Sequence, residues 1–349
     1  MNYDGLARTF RVHLPPGLDT CEHVPLVFNL HGSGSAGWQE ELYTQFSDVA
    51  DTGRFIAVYP DAVNAQWNIN NIISAGVDDV GFISAIVDTI YETYRINRNT
   101  VYSCGMSLGG FMSYRLGCEL SNRIAAIGSV TGLLPITIAC NPSRPVPLID
   151  MHGTDDPTVP YSGVDTSISA WLAKNNCPLN PVVTNLPDIN TNDSTTVTMS
   201  YYAPCDDSTE VVLYTINGGE HTWPDAFGTI GRTSRDINAS STIWNFFKKY
   251  QLHSYAEPTP CITAGAAEAK INSAASARYL PSTRQIEITA PAHAASFILF
   301  DTAGRRLWEK KLQGEKNILI SAEDISQGVY FYILTNNGSL TGKGKLIVW

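Results

Sequence analysis

The sequence has no run of about 18 apolar residues, so no segment reads as a membrane-spanning helix. It is short of basic residues, with 23 Lys and Arg against 33 Asp and Glu. The resulting net charge of −10 disfavours nucleic acid or any polyanionic substrate as a partner. There is no HExxH, no aspartate-rich calcium loop and no glycine-rich dinucleotide fingerprint after the first apolar run. Metal- and nucleotide-dependent chemistry are therefore without a motif, and a reaction needing no cofactor is expected. Seven cysteines are too few for a disulfide scaffold, and none lies in a CxxC pattern. Cys104 sits inside an apolar run and reads as a reduced core residue, whereas Cys177 and Cys205 flank a polar stretch and are candidates for a disulfide. An odd count leaves at least one thiol free or paired between chains. No internal repeat or low-complexity tract is present.

What is there fits a soluble globular chain: 44% hydrophobic and 16% charged residues over 349 positions, enough for one large domain and one small. Short continuous apolar runs at 25–30, 55–59, 100–104, 125–130 and 147–151 suit parallel strands buried on both faces. Residues 8–14 alternate as a half-buried strand does, and 211–216 form a further strand. Helical spacing recurs at 80–94, 108–120, 164–174 and 234–250. Strands alternating with helices predict an α/β fold with a mostly parallel sheet. After Tyr250 the pattern changes. Residues 253–270 are rich in small residues and carry two prolines, as a linker does. Beyond them come only short strands, at 285–289, 296–300, 306–311, 317–320, 329–335 and 344–348, which predict a small all-β sandwich. The division expected is 1–252, 253–270 and 271–349. Charge follows it, at roughly +2 from His253 onward and roughly −12 before it, as two units with separate tasks would show.

Residues 105–109 read Gly-Met-Ser-Leu-Gly between a predicted strand and a predicted helix. This is a nucleophile elbow in its required context, the mark of an α/β-hydrolase, with Ser107 exposed at the end of the sheet. A serine nucleophile needs a base and the base an orienting carboxylate, and in this fold they follow in the order serine, acid, histidine. Asp155 and Asp156 are the acids in place, at the end of the 147–151 strand. His221 follows on a glycine-bounded loop after the 211–216 strand and is the candidate base. His31 and His152 each precede a glycine at a strand end and suit a turn-holding role. For the oxyanion, the amide of Leu108 is one expected donor, and Ser33 in the small-residue loop 31–37 the other. Trp67, Trp223 and Tyr161 are candidates to line the substrate site, with core burial the plainer role for the tryptophans.

These residues resemble the secreted polyhydroxybutyrate depolymerase and feruloyl esterase group, relatives of family 1 carbohydrate esterases. The stretches that carry the resemblance are LHGSGSAG (30–37), YPDA (59–62), VDDVGFISAIVD (77–88), VYSCGMSLGGFMSYRL (101–116), HGTDDPTVPY (152–161) and GGEHTWP (218–224). The resemblance places the acid on Asp156 rather than Asp155, the base on His221, and supports pairing of Cys177 with Cys205. Where many relatives have cysteine after LHG this chain has Ser33, so a disulfide there cannot form. The last 80 or so residues resemble a type IX secretion sorting domain, in ILFDTAGRRLWE (298–309), ISQGVYFYILT (325–335) and the terminal GKGKLIVW. A carbohydrate-binding sandwich is the other role weighed for this part. The start, MNYDGLARTF, has no signal-peptide stretch. A sorting domain travels with such a peptide, so a trimmed mature chain, secreted or on the cell surface, is expected.

The resemblance implies a serine esterase acting on feruloyl or acetyl esters of plant polysaccharide. The alternatives are a polyhydroxyalkanoate depolymerase, a peptidase on the same fold, and a non-catalytic surface glycan binder. The expected partners are the ester substrate and the secretion machinery.

Overall fold

The computed structural model describes residues 1–19, 22–70, 74–228, 230–256, 276–290, 294–301, 305–312, 317–336 and 339–348. The chain divides into two compact units, Met1–Cys261 and Ile262–Trp349. From residue 257 on, the expected linker lies outside the described residues. So do His293, Trp349 and most of the turns after strands 296–300, 306–311 and 329–335.

The first unit is built on a nine-stranded sheet. Its strands are β1 (Phe10–His13), β2 (Leu26–Leu30), β3 (Ile56–Pro60), β4 (Val101–Gly105), β5 (Ala126–Val130), β6 (Leu148–Gly153), β7 (Val182–Asn185), β8 (Thr196–Tyr202) and β9 (Val211–Asn217). They lie in the order β1-β3-β2-β4-β5-β6-β9-β8-β7. The six central strands are mutually parallel, while β1 at one edge and β8 at the other run antiparallel to them, and the outermost β7 pairs antiparallel with β8. The run of buried residues along β2, β3, β4, β5 and β6 is what a sheet covered on both faces requires.

Because side chains alternate across a strand, the same strands feed two separate cores. Leu26, Phe28, Leu30, Val101, Ile127 and Leu148 pack with α3 (Asp79–Tyr94), α4 (Leu108–Glu119) and α5 (Val164–Lys174). Val27, Ala57, Tyr102, Cys104, Ile149 and Met151 pack against α2 (Phe46–Gly53) and α6 (Ala239–Phe247). Helix α3 begins where Asp78 caps the Gly81 amide at 2.8 Å. Helix α6 is shorter than its apolar spacing suggests. It starts only after Asn238, whose side chain caps the Ser241 amide, while Asp236 just upstream is committed to the amides of Ile189 and Asn190. Helices α1 (Gly37–Thr44) and α2 were not anticipated, nor were the edge strands β7 and β8. At the N-terminus Arg8 and Asp79 form a buried ion pair at 2.6 Å, with the Arg8 guanidinium 3.8 Å over the Phe82 ring.

The second unit holds two antiparallel sheets. Strands β10 (Ser276–Leu280), β11 (Gln285–Thr289) and β14 (Asn317–Ser321) form one, in the order β10-β11-β14. Strands β12 (Ser296–Phe300), β13 (Arg306–Lys311), β15 (Gly328–Asn336) and β16 (Ser339–Val348) form the other, in the order β13-β12-β15-β16. Alternate residues, among them Ile286, Ile288, Phe297, Leu299, Ile318, Ile320, Tyr332 and Leu346, close a core of their own. The six expected strands are present and β10 is added to them.

Two disulfides are present among the described residues, Cys177–Cys205 as expected and Cys118–Cys140, which was not. Cys104 is a free thiol buried on β4.

One buried carboxyl makes a testable demand. Glu40 on α1 is 3% exposed, its Oε1 has no partner, and burial pushes its pKa well above 4.5. A carboxyl whose folded pKa is raised favours folding most at low pH, and stability is lost as pH rises from the unfolded value towards the folded one. Glu40→Gln cannot ionise, so its Tm should exceed that of the parent at pH 8 and show no advantage at pH 4. Thermal unfolding at both values checks this, and equal curves at pH 8 would rule it out.

Candidate active site

Strand β4 ends at Gly105, and the chain turns through Met106 and Ser107 into α4. Ser107 sits at φ 53°, ψ −121°, a strained conformation for a residue with a side chain. Its amide donates to Val130 O at 2.8 Å, and its carbonyl accepts from Phe111 N at 3.0 Å. A Cβ on Gly109 would lie 1.9 Å from Leu30 O, so only glycine allows the helix to start this close to β2. Ser107 is thereby held partly exposed where the strand meets the helix. Leu108 opens α4, and the first amides of a helix have no intrahelical partner. Its N–H is therefore available to a developing oxyanion.

The loop after β2 lies against the same turn, since a Cβ on Gly32 would approach Ser107 Cβ to 3.4 Å. His31 is fully buried beneath this loop. Its Nδ1 donates to Gly32 O at 2.7 Å and its Nε2 accepts from Ala62 N at 3.1 Å. That pattern needs a neutral ring, and burial does lower the His31 pKa. Ser33 is exposed next to it, its Oγ accepting from Gln66 Nε2.

The loops that carry Asp156 and His221 leave β6 and β9, which pair in parallel, and stay tied beyond the sheet. Thr154 N donates to Ile216 O at 3.0 Å, and Asp155 N to Gly219 O at 2.9 Å. A Cβ on Gly153 would lie 2.2 Å from Gly219 O, so the approach needs glycine there. At the meeting point His221 Nδ1 donates to Asp156 Oδ2 at 2.7 Å. Asp156 Oδ1 accepts the amides of Thr158 and Val159, both at 2.8 Å, and the carboxylate is wholly buried. Burial alone would raise its pKa. Hydrogen bonds with His152, His221 and the Val159 amide outweigh that and hold it well below the usual carboxylate range. Asp155 instead faces Arg232 at 3.4 Å and is half exposed. An ionised acid thus fixes the imidazole through Nδ1, leaving Nε2 on the far side of the ring.

Two expected substrate contacts are corrected. Trp67 and Trp223 have no exposed surface. Trp67 Nε1 donates to His31 O at 2.9 Å, and Trp223 Nε1 to Ser240 Oγ at 3.1 Å. Both rings are core pieces, one bracing the loop 31–37 and the other lying under the base loop. Tyr161 is partly exposed, with its hydroxyl bonded to Thr215 at 2.7 Å.

Beside the elbow is an apolar recess of about 400 Å³, lined by Phe111, Leu133, Leu134, Pro135 and Ile136 among others. It flanks the first turn of α4, because the segment after β5 runs along that turn: a Cβ on Gly132 would lie 2.8 Å from Phe111 N. Nothing in the local sequence marks it. The Cys118–Cys140 bridge, joining the end of α4 to the stretch before β6, was equally silent.

With this geometry in hand, similarity to known proteins is informative. Residues 8–156 match the family model described as "Esterase PHB depolymerase", and residues 280–349 that described as "Secretion system C-terminal sorting domain". A bifunctional acetylxylan esterase/xylanase of Neocallimastix patriciarum is 27% identical over 71% of this chain and 34% of its own length. Feruloyl esterase B of Piromyces equi is 26% identical over 69% of this chain and 45% of its own. Feruloyl esterase D of Neurospora crassa is 24% identical over 71% and 84%. The chain thus spans about a third and just under half of the first two. By its domains it is a carboxylic ester hydrolase, secreted or at the cell surface. Among the described residues no helix is long and apolar enough to cross a membrane.

The elbow makes a direct prediction. In Gly109→Ala the methyl must push α4 away from Leu30, so the variant should lose about 1–3 kcal/mol of stability and most of its esterase activity. Urea unfolding and hydrolysis of a p-nitrophenyl ester check both, and a native-like variant would show that the contact is not needed.

Proposed function

We propose that this carboxylic ester hydrolase works through an acyl-enzyme formed on Ser107. The observation that carries the reading is the 2.7 Å bond from His221 Nδ1 to the buried, ionised Asp156, next in chain order to a serine on a strained elbow. His221 Nε2 takes the Ser107 proton as Oγ attacks the ester carbonyl. Asp156 holds the ring in the tautomer that leaves Nε2 free and stabilises the imidazolium as it forms. The amides of Leu108 and Ser33 bind the oxyanion, each such donor contributing about 3 kcal/mol to the transition state. The imidazolium then protonates the leaving alcohol. Water, deprotonated by the same nitrogen, releases the acid and regenerates Ser107.

For substrate we favour feruloyl esters of plant polysaccharide, with acetyl esters next. The apolar recess one turn along α4 from Ser107 supports this order, since an aromatic acyl group is large and apolar enough to use such a space and an acetyl group is not. Tyr161 is the remaining candidate to contact the substrate. A polyhydroxyalkanoate oligoester is the second reading, favoured by the family to which residues 8–156 are similar. The C-terminal unit serves export, and the secretion machinery is its partner.

Hydrolysis of methyl ferulate, acetylated xylan and 3-hydroxybutyrate oligomers by the purified chain separates these readings. Methyl ferulate should be the best substrate, and Ser107→Ala should lower its turnover by about 10⁴-fold or more. Preference for the oligoester would transfer the assignment to the second reading. Retained activity in Ser107→Ala would remove the mechanism, and no activity in either chain would favour a glycan-binding surface protein.

A further inference from the structure

Behind the proposed acid lies a buried polar cluster that the mechanism above leaves unused. Residues 148, 150 and 152 of β6 face the same side of the sheet, which puts Asp150 and His152 side by side on one face. Ser129 pairs with Asp150 across β5, and Thr131 follows two residues on. Asp150 is 1% exposed, and its Oδ2 accepts from Tyr114 OH at 2.7 Å. His152 is fully buried, with its Nε2 donating to Val159 O at 2.8 Å and lying 3.4 Å from Asp156 Oδ2. Four buried atoms of the cluster have no close hydrogen-bond partner: Ser129 Oγ, Thr131 Oγ1, Asp150 Oδ1 and His152 Nδ1, although the Ser129 hydroxyl acts on Asp150 electrostatically. Orphaned buried polar atoms are costly, and several facing one spot are the usual setting of an internal water.

We propose that His152 is a positioning residue for Asp156, aimed from behind by a solvent-bridged contact between its Nδ1 and Asp150. The Nε2 edge fixes the Val159 segment whose amide holds Asp156, and the Nδ1 edge, through the bridge, fixes the imidazole plane. The inference rests on Asp156 being the acid that orients His221. Titratable groups facing Asp150 and His152 are Tyr114 from α4, Tyr161 from the turn Tyr161–Gly163, whose ring stands 5.9 Å from that of His152, and the Asp156–His221 pair. Burial pushes both tyrosines up, so they stay neutral in the working range. Burial also raises Asp150 to about 6, where its protonation removes the anion that His152 leans on. Burial alone would lower His152 itself, but its contacts with Asp156, Asp150 and Val159 outweigh that and raise it.

Two substitutions separate the edges of the ring. A glutamine amide can reach the place of Nε2, and an asparagine amide that of Nδ1. His152→Gln should keep kcat within about threefold, whereas His152→Asn should lose roughly tenfold to a hundredfold in kcat with KM little changed. If the histidine variants fold poorly, Asp150→Asn, nearly isosteric, carries the test. The acid limb of the parent's kcat/KM profile should be steeper than that of Asp150→Asn, which has lost one of the titrating groups. Equal kcat in the asparagine and glutamine variants, or superimposable pH profiles for parent and Asp150→Asn, would overturn the proposal. Asp156→Asn and Ser107→Ala run alongside: if they stay active, the reading of the site itself has failed. If they are inactive while His152 and Asp150 variants match the parent, only the positioning role is lost.

Discussion

The carbonyl oxygen of Leu30 is the point on which the geometry of the first unit turns. It accepts the Met106 amide at 3.1 Å, and Gly109 passes so near it that no side chain fits. The end of β2 therefore sets both where β4 stops and where α4 begins, and Ser107 is the residue caught between them. The next residue, His31, carries the constraint outward. Locked neutral between Gly32 O and Ala62 N, and braced by Trp67 through its own carbonyl, it fixes the loop that bears Ser33. The proposed nucleophile and the proposed second oxyanion donor thus hang from consecutive residues, Leu30 at the end of β2 and His31 just beyond it, and are held by one backbone junction. A preorganised oxyanion site needs that kind of rigidity, because its donors must be in place before charge develops.

The proposed acid and base, Asp156 and His221, are governed by a second, independent junction at the ends of β6 and β9. Here the fold works against electrostatics and then compensates. A wholly buried carboxylate is unfavourable, and the loop 152–159 answers with two backbone amides and the His152 imidazole, to which the loop after β9 adds His221. An acid held ionised this firmly can stabilise a positive His221 without taking its proton, which is what the orienting member of such a pair requires.

The two junctions explain why the chemistry was legible in the sequence and much of the surroundings was not. Gly105, Ser107 and Gly109 are dictated by close backbone approach, so the elbow shows as a local string. The parallel strands show as apolar runs because they are buried on both faces. Trp67 and Trp223 misled because an aromatic residue in a loop beside a catalytic group looks the same whether it meets substrate or braces the loop, and only burial separates the two. Helix α1 has too weak an apolar stripe to announce itself, with Gly37, Glu40 and Thr44 as its buried residues. Strand β7 is exposed along its whole length, and most of β8 is only half-buried, so neither has the pattern of a core strand. The Cys118–Cys140 pair joins residues brought together by tertiary packing alone.

Cysteine placement bears on how an exported chain of this design keeps one fold. Both bridges sit away from the elbow: one ties the end of α4 to the stretch before β6, the other ties the residues after α5 to those after β8. Cys104, on the strand that delivers Ser107, is the free thiol among the described residues. Burial holds it well above the usual thiol range, so it stays protonated and out of reach. The thiolate, not the thiol, attacks disulfides, so burial and protonation together suppress exchange at the strand that most needs to stay undistorted. Exchange at Cys104 then requires opening the core between β4, α2 and α6, so the packing of that core is what keeps this thiol from the two bridges.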